Sequence, residues 1–216
     1  MKKLITLFSA FLILSGCAGV MGGGNPKIQS LEAKSATITG QFISALGESV
    51  VAYENALSAV GNKTEAERIK SEAGNLREDD DKDKLESSIG MLNEVDLSKE
   101  LEQAGELSAE GKAQIGAAIL HLGIAIFYDG MVATEVPSVV TDANDILQNL
   151  SKADAMSAGS VKNIISYASW IADIAPDQLA LLKTNFSTLK AYADAHGIPV
   201  PSQEEIEQEA SSLQRE

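Results

Sequence analysis

Apolar residues recur every three to four positions along most of the chain after Pro26, which is the spacing of one face of an α-helix. No stretch alternates apolar and polar residues between hairpin turns, and aromatic residues are only 5% of the total. A first helix is predicted from about Lys27 to Val60, ending at Gly61-Asn62, a pair typical of a helix C-terminus. The pattern therefore predicts an all-α fold, a bundle of about five to seven helices.

Two sets of polar residues have the spacing that caps a helix at its start. Thr64 and Glu67 are spaced as a capping box, which predicts that a second, highly charged helix begins at Thr64. A short helix is expected around Leu97 to Leu101. Ser202 and Glu205 repeat the capping-box spacing and predict a short acidic helix at the C-terminus.

Two prolines are predicted to divide the second half of the chain. Proline suits the first turn of a helix and disrupts a helix interior, because it has no backbone N–H to donate. We therefore predict that one helix opens at Pro137 and another at Pro176. A separate amphipathic helix between them carries the apolar residues from Val161 to Ile171.

The most apolar segment runs from Ser108 to Ala133, and the only ionisable side chain at its centre is His121. Apolar residues on all sides are typical of a buried central helix or of a membrane-spanning element. The segment is about long enough to span a bilayer, but His121 and the later Asp129 are costly there, ~3 kcal/mol for a central Asp. The central helix of a bundle is therefore the favoured interpretation.

Glycines recur at heptad spacing in two of the predicted helices, at Gly40 and Gly47 and again at Gly116, Gly123 and Gly130. Each glycine lowers helix stability by ~1 kcal/mol relative to alanine, so a packing or functional reason is expected. Small residues allow another helix to approach closely. We favour tight packing over the alternative, a groove between the two glycine faces.

The N-terminus has the features of an export signal. Lys2 and Lys3 precede an apolar run from Leu4 to Leu14, which is too short to span a bilayer, a distance that takes ~20 residues. The run ends in Leu14-Ser15-Gly16-Cys17, and Cys17 is the chain's single cysteine. This tetrapeptide resembles the lipobox of bacterial lipoproteins: an aliphatic residue, two small residues and then cysteine. The resemblance covers residues 1–17, and we recognise no family for the remainder.

The resemblance implies that residues 1–16 are a signal peptide, cleaved before Cys17, whose thiol carries a diacylglyceryl group and whose amino group is acylated, typically with palmitate. Two or three acyl chains give stable membrane anchoring, because each buried methylene contributes ~0.8 kcal/mol. In Gram-negative lipoproteins, Asp directly after the cysteine favours the inner membrane, so Ala18 at that position implies the outer membrane. In a Gram-positive source, the same signal would place the protein on the outer face of the cytoplasmic membrane. Residues 17–26 are glycine-rich, a composition typical of a flexible tether, and residues 27–216 are predicted to form one helical domain.

Composition limits the remaining function classes. The net charge of -14 argues against binding of nucleic acid and against attraction to anionic lipid. One cysteine excludes an internal disulfide and a cysteine-rich metal site, and two histidines without a metal-binding spacing argue against a histidine-built metal site. The spacing of Asp79, Asp81 and Asp83 matches a calcium loop, but Lys84 and Gly90 stand where that loop needs Gly and Glu. We expect no metal and no cofactor.

Three residues of the central helix are the candidates for chemistry: His121, Tyr128 and Asp129. His121 and Tyr128 are seven apart and share one stripe, whereas Asp129 lies about 80° further round. A buried histidine near neutral pH is a possible acid, base or pH sensor. A hydrogen-bonded core histidine is the favoured interpretation, since no nucleophile, second acid or metal ligand is fixed beside it.

These observations favour a non-enzymatic, membrane-anchored lipoprotein on the periplasmic side of the envelope. Its domain would bind another envelope protein or associate with itself, with the acidic C-terminal helix and residues 64–106 as the candidate contacts. The main alternative is a bundle that binds a hydrophobic small molecule or lipid between the glycine-faced helices. A third hypothesis is a helix that inserts into membranes when His121 is protonated. No catalytic motif supports an enzyme.

Overall fold

The computed structural model describes residues 25–73 and 81–214. The signal peptide, Cys17, most of the predicted tether, Asp79 and Asp80 lie outside these described residues. The described ranges contain no strand, and the predicted all-α fold is confirmed. Their helices are α1 (Pro26–Ala59), α2 (Lys63–Ala73), α3 (Lys82–Glu94), α4 (Leu97–Glu102), α5 (Ala109–Gln148), a 3-10 helix (Lys152–Ser157), α6 (Ala158–Ala195) and α7 (Gln203–Leu213).

Three long helices, α1, α5 and α6, form the body of the bundle. Lys34 Nζ lies 2.8 Å from Asp142 Oδ2, and Glu48 faces His121, so α1 and α5 run antiparallel. Near the start of both α1 and α6, Ser160 donates a hydrogen bond to Glu32 at 2.9 Å, so these two helices run in the same direction. The short helices α2, α3 and α4 pack beside this body.

The core is built from heptad stripes that face inward. On α5 the most buried stripe consists of Ile115, Leu122, Asp129, Val136 and Ala143, each at most 1% exposed. On α6 it consists of Val161, Ala168, Ala175, Leu182 and Leu189, each at most 3% exposed. Burial of one such aliphatic side chain contributes about 1.5–3 kcal/mol, so these stripes supply the main stabilisation. Asp129, an ionisable residue in the middle of the apolar α5 stripe, is therefore unusual.

The predicted helix breaks at Pro137 and Pro176 are wrong. Both prolines lie inside continuous helices, α5 and α6. An interior proline costs roughly 3 kcal/mol because it removes one backbone hydrogen bond and crowds the preceding turn. Here the apolar stripe stays in register on both sides of the proline, with Val132 and Val139 both buried around Pro137. Burial of that unbroken stripe offsets the local cost, and so the helix continues.

The capping predictions have mixed outcomes. α2 begins at Lys63, and the Asn62 side chain accepts a hydrogen bond from the Glu65 backbone N–H at 3.3 Å. The cap is therefore Asn62, two residues before the predicted Thr64, and α2 begins one residue earlier than predicted. The capping box of Ser202 and Glu205 is confirmed: the Ser202 N–H donates to Glu205 Oε2 at 2.8 Å, and the Glu205 N–H donates to Ser202 Oγ at 3.2 Å.

Candidate functional site

The C-terminal helix α7 lies against α5 and covers an apolar surface there. Ile206 and Ala210 of α7 pack with Ala45 of α1 and with Ile124 and Tyr128 of α5. We call these five residues the α7 interface. The Tyr128 hydroxyl donates a hydrogen bond to the Ala210 backbone oxygen at 2.8 Å, which fixes α7 in position along α5. The opposite face of α7 is exposed and carries most of its carboxylates.

The glycines of α5 explain how α7 comes so close. A Cβ atom at Gly123 would lie 2.6 Å from Ile206 Cδ1, closer than side-chain carbons can approach. At Gly116 it would lie 3.5 Å from the Pro199 backbone oxygen, which precedes α7. At Gly47 and Gly130 it would meet nothing within 4 Å. Tight packing is therefore correct at Gly123, where the partner is α7 rather than the glycines of α1, whereas the distance at Gly116 is an ordinary van der Waals contact.

His121 is paired with Glu48, a residue that the sequence analysis did not select. The His121 Nδ1 atom lies 2.6 Å from Glu48 Oε2, and Glu48 is only 6% exposed. The contact agrees with the hydrogen bond expected of a core histidine, but His121 does not lie in the core, because 31% of its side chain is exposed. One signal for Glu48 was present, because it is the only Asp, Glu, Lys or Arg between Lys34 and Glu54. Its position within an apolar stretch of α1 indicates a buried, partnered carboxylate.

Tyr128 belongs to the same neighbourhood. Burial, with a smaller contribution from the Glu48 carboxylate, raises the pKa of Tyr128 to about 12. The phenol therefore stays protonated at neutral pH and remains a hydrogen-bond donor to α7. The structure thus brings His121 and Tyr128 together around Glu48 and α7, as their shared stripe predicted.

Asp129 is separate from this group and has different surroundings. It is 0% exposed, and neither carboxylate oxygen has a hydrogen-bond partner. Burial raises its pKa to about 7, and the positive charge of Lys183 on α6 opposes that shift. Asp129 lies in the middle of α5, far from either helix end, and the helices packed against α5 shield it from solvent.

The cavity beside Gln178 is too small for a ligand. Gln178 of α6 is buried without a hydrogen-bond partner, and it lines a cavity of about 10 Å³ together with Tyr53 and Leu182. That volume has room for about one water molecule, whereas ligand sites usually occupy roughly 300–1,000 Å³. Tyr53 is hydrogen-bonded by Asn185, and burial raises the pKa of Tyr53. This cavity is therefore a packing defect rather than a binding site.

The chemistry available to these residues is limited. Within residues 25–73 and 81–214, no three His, Cys, Asp or Glu side chains are grouped as metal ligands. His121 and Glu48 form a pair in which neither contacts a nucleophile, and Asp129 has no access to solvent. The arrangement holds α1, α5 and α7 together through the His121–Glu48 contact and the hydrogen bond from Tyr128.

One helix of the described ranges, α5, is long and apolar enough to cross a membrane by length and composition, with a mean hydropathy of 1.7 over its most apolar window. More than half of that window, 56%, is buried inside the bundle, as in the core helix of a soluble domain. Helices α1 and α6 already cover its apolar faces. No protein-family model, curated protein or solved structure matches this chain.

Proposed function

We propose that the chain is a lipid-anchored lipoprotein of the bacterial envelope whose helical domain is a non-enzymatic interaction or structural module. The observation that carries this proposal is the tetrapeptide Leu14-Ser15-Gly16-Cys17 directly after the apolar run. The cysteine is followed by only a short stretch, residues 18–25, before α1 begins at Pro26. A signal of this kind accounts for export and anchoring without any further membrane element.

The packing of the domain supports interaction over ligand transport. A hydrophobic ligand held at the glycine face of α5 would need the volume that Ile206 occupies beside Gly123. Such a ligand would have to displace α7 and break the hydrogen bond from Tyr128. The cavity beside Gln178 has room for about one water molecule, and so the surface is the better candidate for function.

The outer face of α7 is the contact surface that we favour. Glu204, Glu207, Gln208 and Ser211 line a shallow open groove along it. Exposed carboxylates on a rigid helix suit a partner with a basic surface, because complementary charge raises the association rate and orients the partners. A second copy of this chain is less suitable for this surface, since its net charge has the same sign.

Anchoring is tested by expressing the full chain in a Gram-negative host that is fed radiolabelled palmitate. We expect the label on the protein, a membrane-bound product, and loss of both in Cys17→Ser. A mature chain that starts at another residue and carries no acyl group would refute the anchoring. Native mass spectrometry of the same product tests the ligand alternative, which predicts a bound mass that is lost on denaturation.

Interaction is tested by charge reversal rather than by deletion of α7. Deletion would expose Ile124 and Tyr128 and confuse lost contacts with lost folding. The double variant Glu204→Lys and Glu207→Lys alters only exposed side chains of α7, and Asp173→Lys with Asp177→Lys on α6 is the control with the same change in charge.

Crosslinking in the cells that produce the protein is expected to give a specific crosslinked product with the native chain. The control variant, Asp173→Lys with Asp177→Lys, should give the same product. The α7 variant should lose most of this product. Equal crosslinking of all three chains would exclude the outer face of α7 as the contact.

A further inference from the structure

One end of the bundle joins the start of α1 to the connection between α5 and α6. Asn25 accepts a hydrogen bond from the Lys27 N–H at 3.0 Å and so caps α1. Its amide nitrogen also donates to Asp154 Oδ2 in the 3-10 helix at 3.2 Å. The chain therefore leads into α1 directly beside the 3-10 helix, Lys152–Ser157.

The outward side of this 3-10 helix differs from the rest of the surface. Met156 is 98% exposed. Among the described residues, it is the single large apolar side chain that is exposed. Lys152 is exposed nearby. The one carboxylate in the 3-10 helix, Asp154, accepts hydrogen bonds from Asn25 and from the Ser151 hydroxyl. The outermost residues of this end therefore present an apolar and a cationic side chain to solvent.

The charge of this end also differs from that of the whole chain. Four lysines and four carboxylates within residues 25–35 and 141–165 balance each other, whereas the chain as a whole carries -14. They are Lys27, Lys34, Lys152, Lys162, Glu32, Asp142, Asp145 and Asp154. An anionic membrane surface repels an acidic protein, but it does not repel a neutral end.

We propose that this end of the bundle, residues 25–27 with the 3-10 helix, contacts the membrane surface through Met156 and Lys152. This inference rests on the acylation of Cys17 proposed above. Residues 18–25 span at most roughly 30 Å when fully extended, so an anchored chain keeps this end close to the bilayer. A tether of that length gives a high effective concentration, and a weak contact is then sufficient.

The contact would set the orientation of the whole domain relative to the membrane. The longest helix, α5, has 40 residues and is about 60 Å long, with its C-terminal end beside the 3-10 helix. With that end on the membrane, the long helices lie roughly perpendicular to the bilayer. The acidic helix α7 is then held away from the lipid. Gly123, beneath α7, then lies about 38 Å along α5 from the membrane-facing end.

The test uses the full chain, acylated in the cell and reconstituted into vesicles that contain lipids with a nitroxide quencher on the head group. A fluorophore is attached to Ala155→Cys, next to Met156, or to Gln103→Cys, which follows α4 near the opposite end of α1. Both positions are exposed, and acylation blocks Cys17 from labelling. A third chain combines Ala155→Cys with Met156→Gln.

We expect several-fold stronger quenching at residue 155 than at residue 103, and a clear loss of quenching when Met156 is replaced. Equal quenching at both positions would overturn the proposal. Quenching at residue 155 that Met156→Gln leaves unchanged would also overturn it, because the tether alone would then explain the proximity. Mass spectrometry of the same samples separates the two proposals: an unacylated chain refutes the anchor and the contact together, whereas an acylated chain with equal quenching refutes only the contact.

Discussion

Asp129 makes the stability of this protein depend on pH in an unusual direction. Its carboxylate is fully buried without a hydrogen bond, and its pKa is raised from 3.8 to about 7. The folded state therefore holds this proton more tightly than the unfolded state. Between about pH 4 and pH 7 the unfolded chain ionises while the folded chain does not, so the contribution of Asp129 to stability falls as pH rises.

The size of the effect follows from the pKa difference. A shift of about three pKa units corresponds to roughly 4 kcal/mol, lost progressively up to pH 7 and constant above it. Asp129→Asn removes the titration and keeps the side-chain volume. The variant and the native chain should therefore have similar stability at about pH 3, below both pKa values, where Asp129 is mostly neutral in both states. By about pH 8 the variant should be more stable by roughly 4 kcal/mol.

Urea unfolding followed by circular dichroism measures this difference at a series of pH values. The exposed Asp173 on α6 is the matched control, and Asp173→Asn should follow the native curve. The positive charge of Lys183 opposes the rise in the pKa of Asp129, so Lys183→Gln should extend the native loss of stability to higher pH. If the native and Asp129→Asn stabilities stay parallel from about pH 4 to pH 8, the reasoning from burial is refuted.

Other predictions concern the α7 interface. Gly123→Ala should loosen α7 at a cost of about 1–3 kcal/mol, because the new methyl group meets Ile206; hydrogen exchange of α7 should rise, and Ile206→Val should partly restore it. Tyr128→Phe should cost about 1 kcal/mol by removing one donor to α7, with the same hydrogen-exchange readout; unchanged exchange would show that this bond contributes little. His121→Ala should cost about 1–3 kcal/mol, since it leaves the buried Glu48 carboxylate without a partner; a double-mutant cycle with Glu48→Gln should reveal coupling, and additive effects would contradict the pairing.

Local signals were sufficient for much of the fold. The first helix was predicted to within one residue at each end, because the capping residue Asn25 and the positive φ of Gly61 act over a few residues. The same holds for the capping box at Ser202. Pro137 and Pro176 failed as breaks because the continuity of α5 and α6 is decided by packing against other helices, and a local rule does not include that energy.

The candidate site also combines features that local sequence reveals with features that depend on packing between helices. His121 and Tyr128 could be grouped from their heptad spacing alone, but their partners come from helices far away in sequence. Glu48 lies 73 residues before His121, and the backbone oxygen that Tyr128 contacts lies 82 residues later. The lack of a hydrogen-bond partner for Asp129 depends on how other helices pack against α5, and no spacing along one helix reveals that.

The hydrogen bond from Asn25 to Asp154 lies where a tethered domain would receive mechanical load. If α7 binds a partner while the N-terminus is held at a membrane, tension enters through α1 and leaves through α5, to which α7 is attached. Because α1 and α5 lie side by side and antiparallel, that tension acts as shear along their long contact. Shear loads many side-chain contacts at once, whereas peeling would break them one after another. The same geometry that brings the tether beside the 3-10 helix would therefore make the bundle resistant to force, a property governed by its unfolding rate.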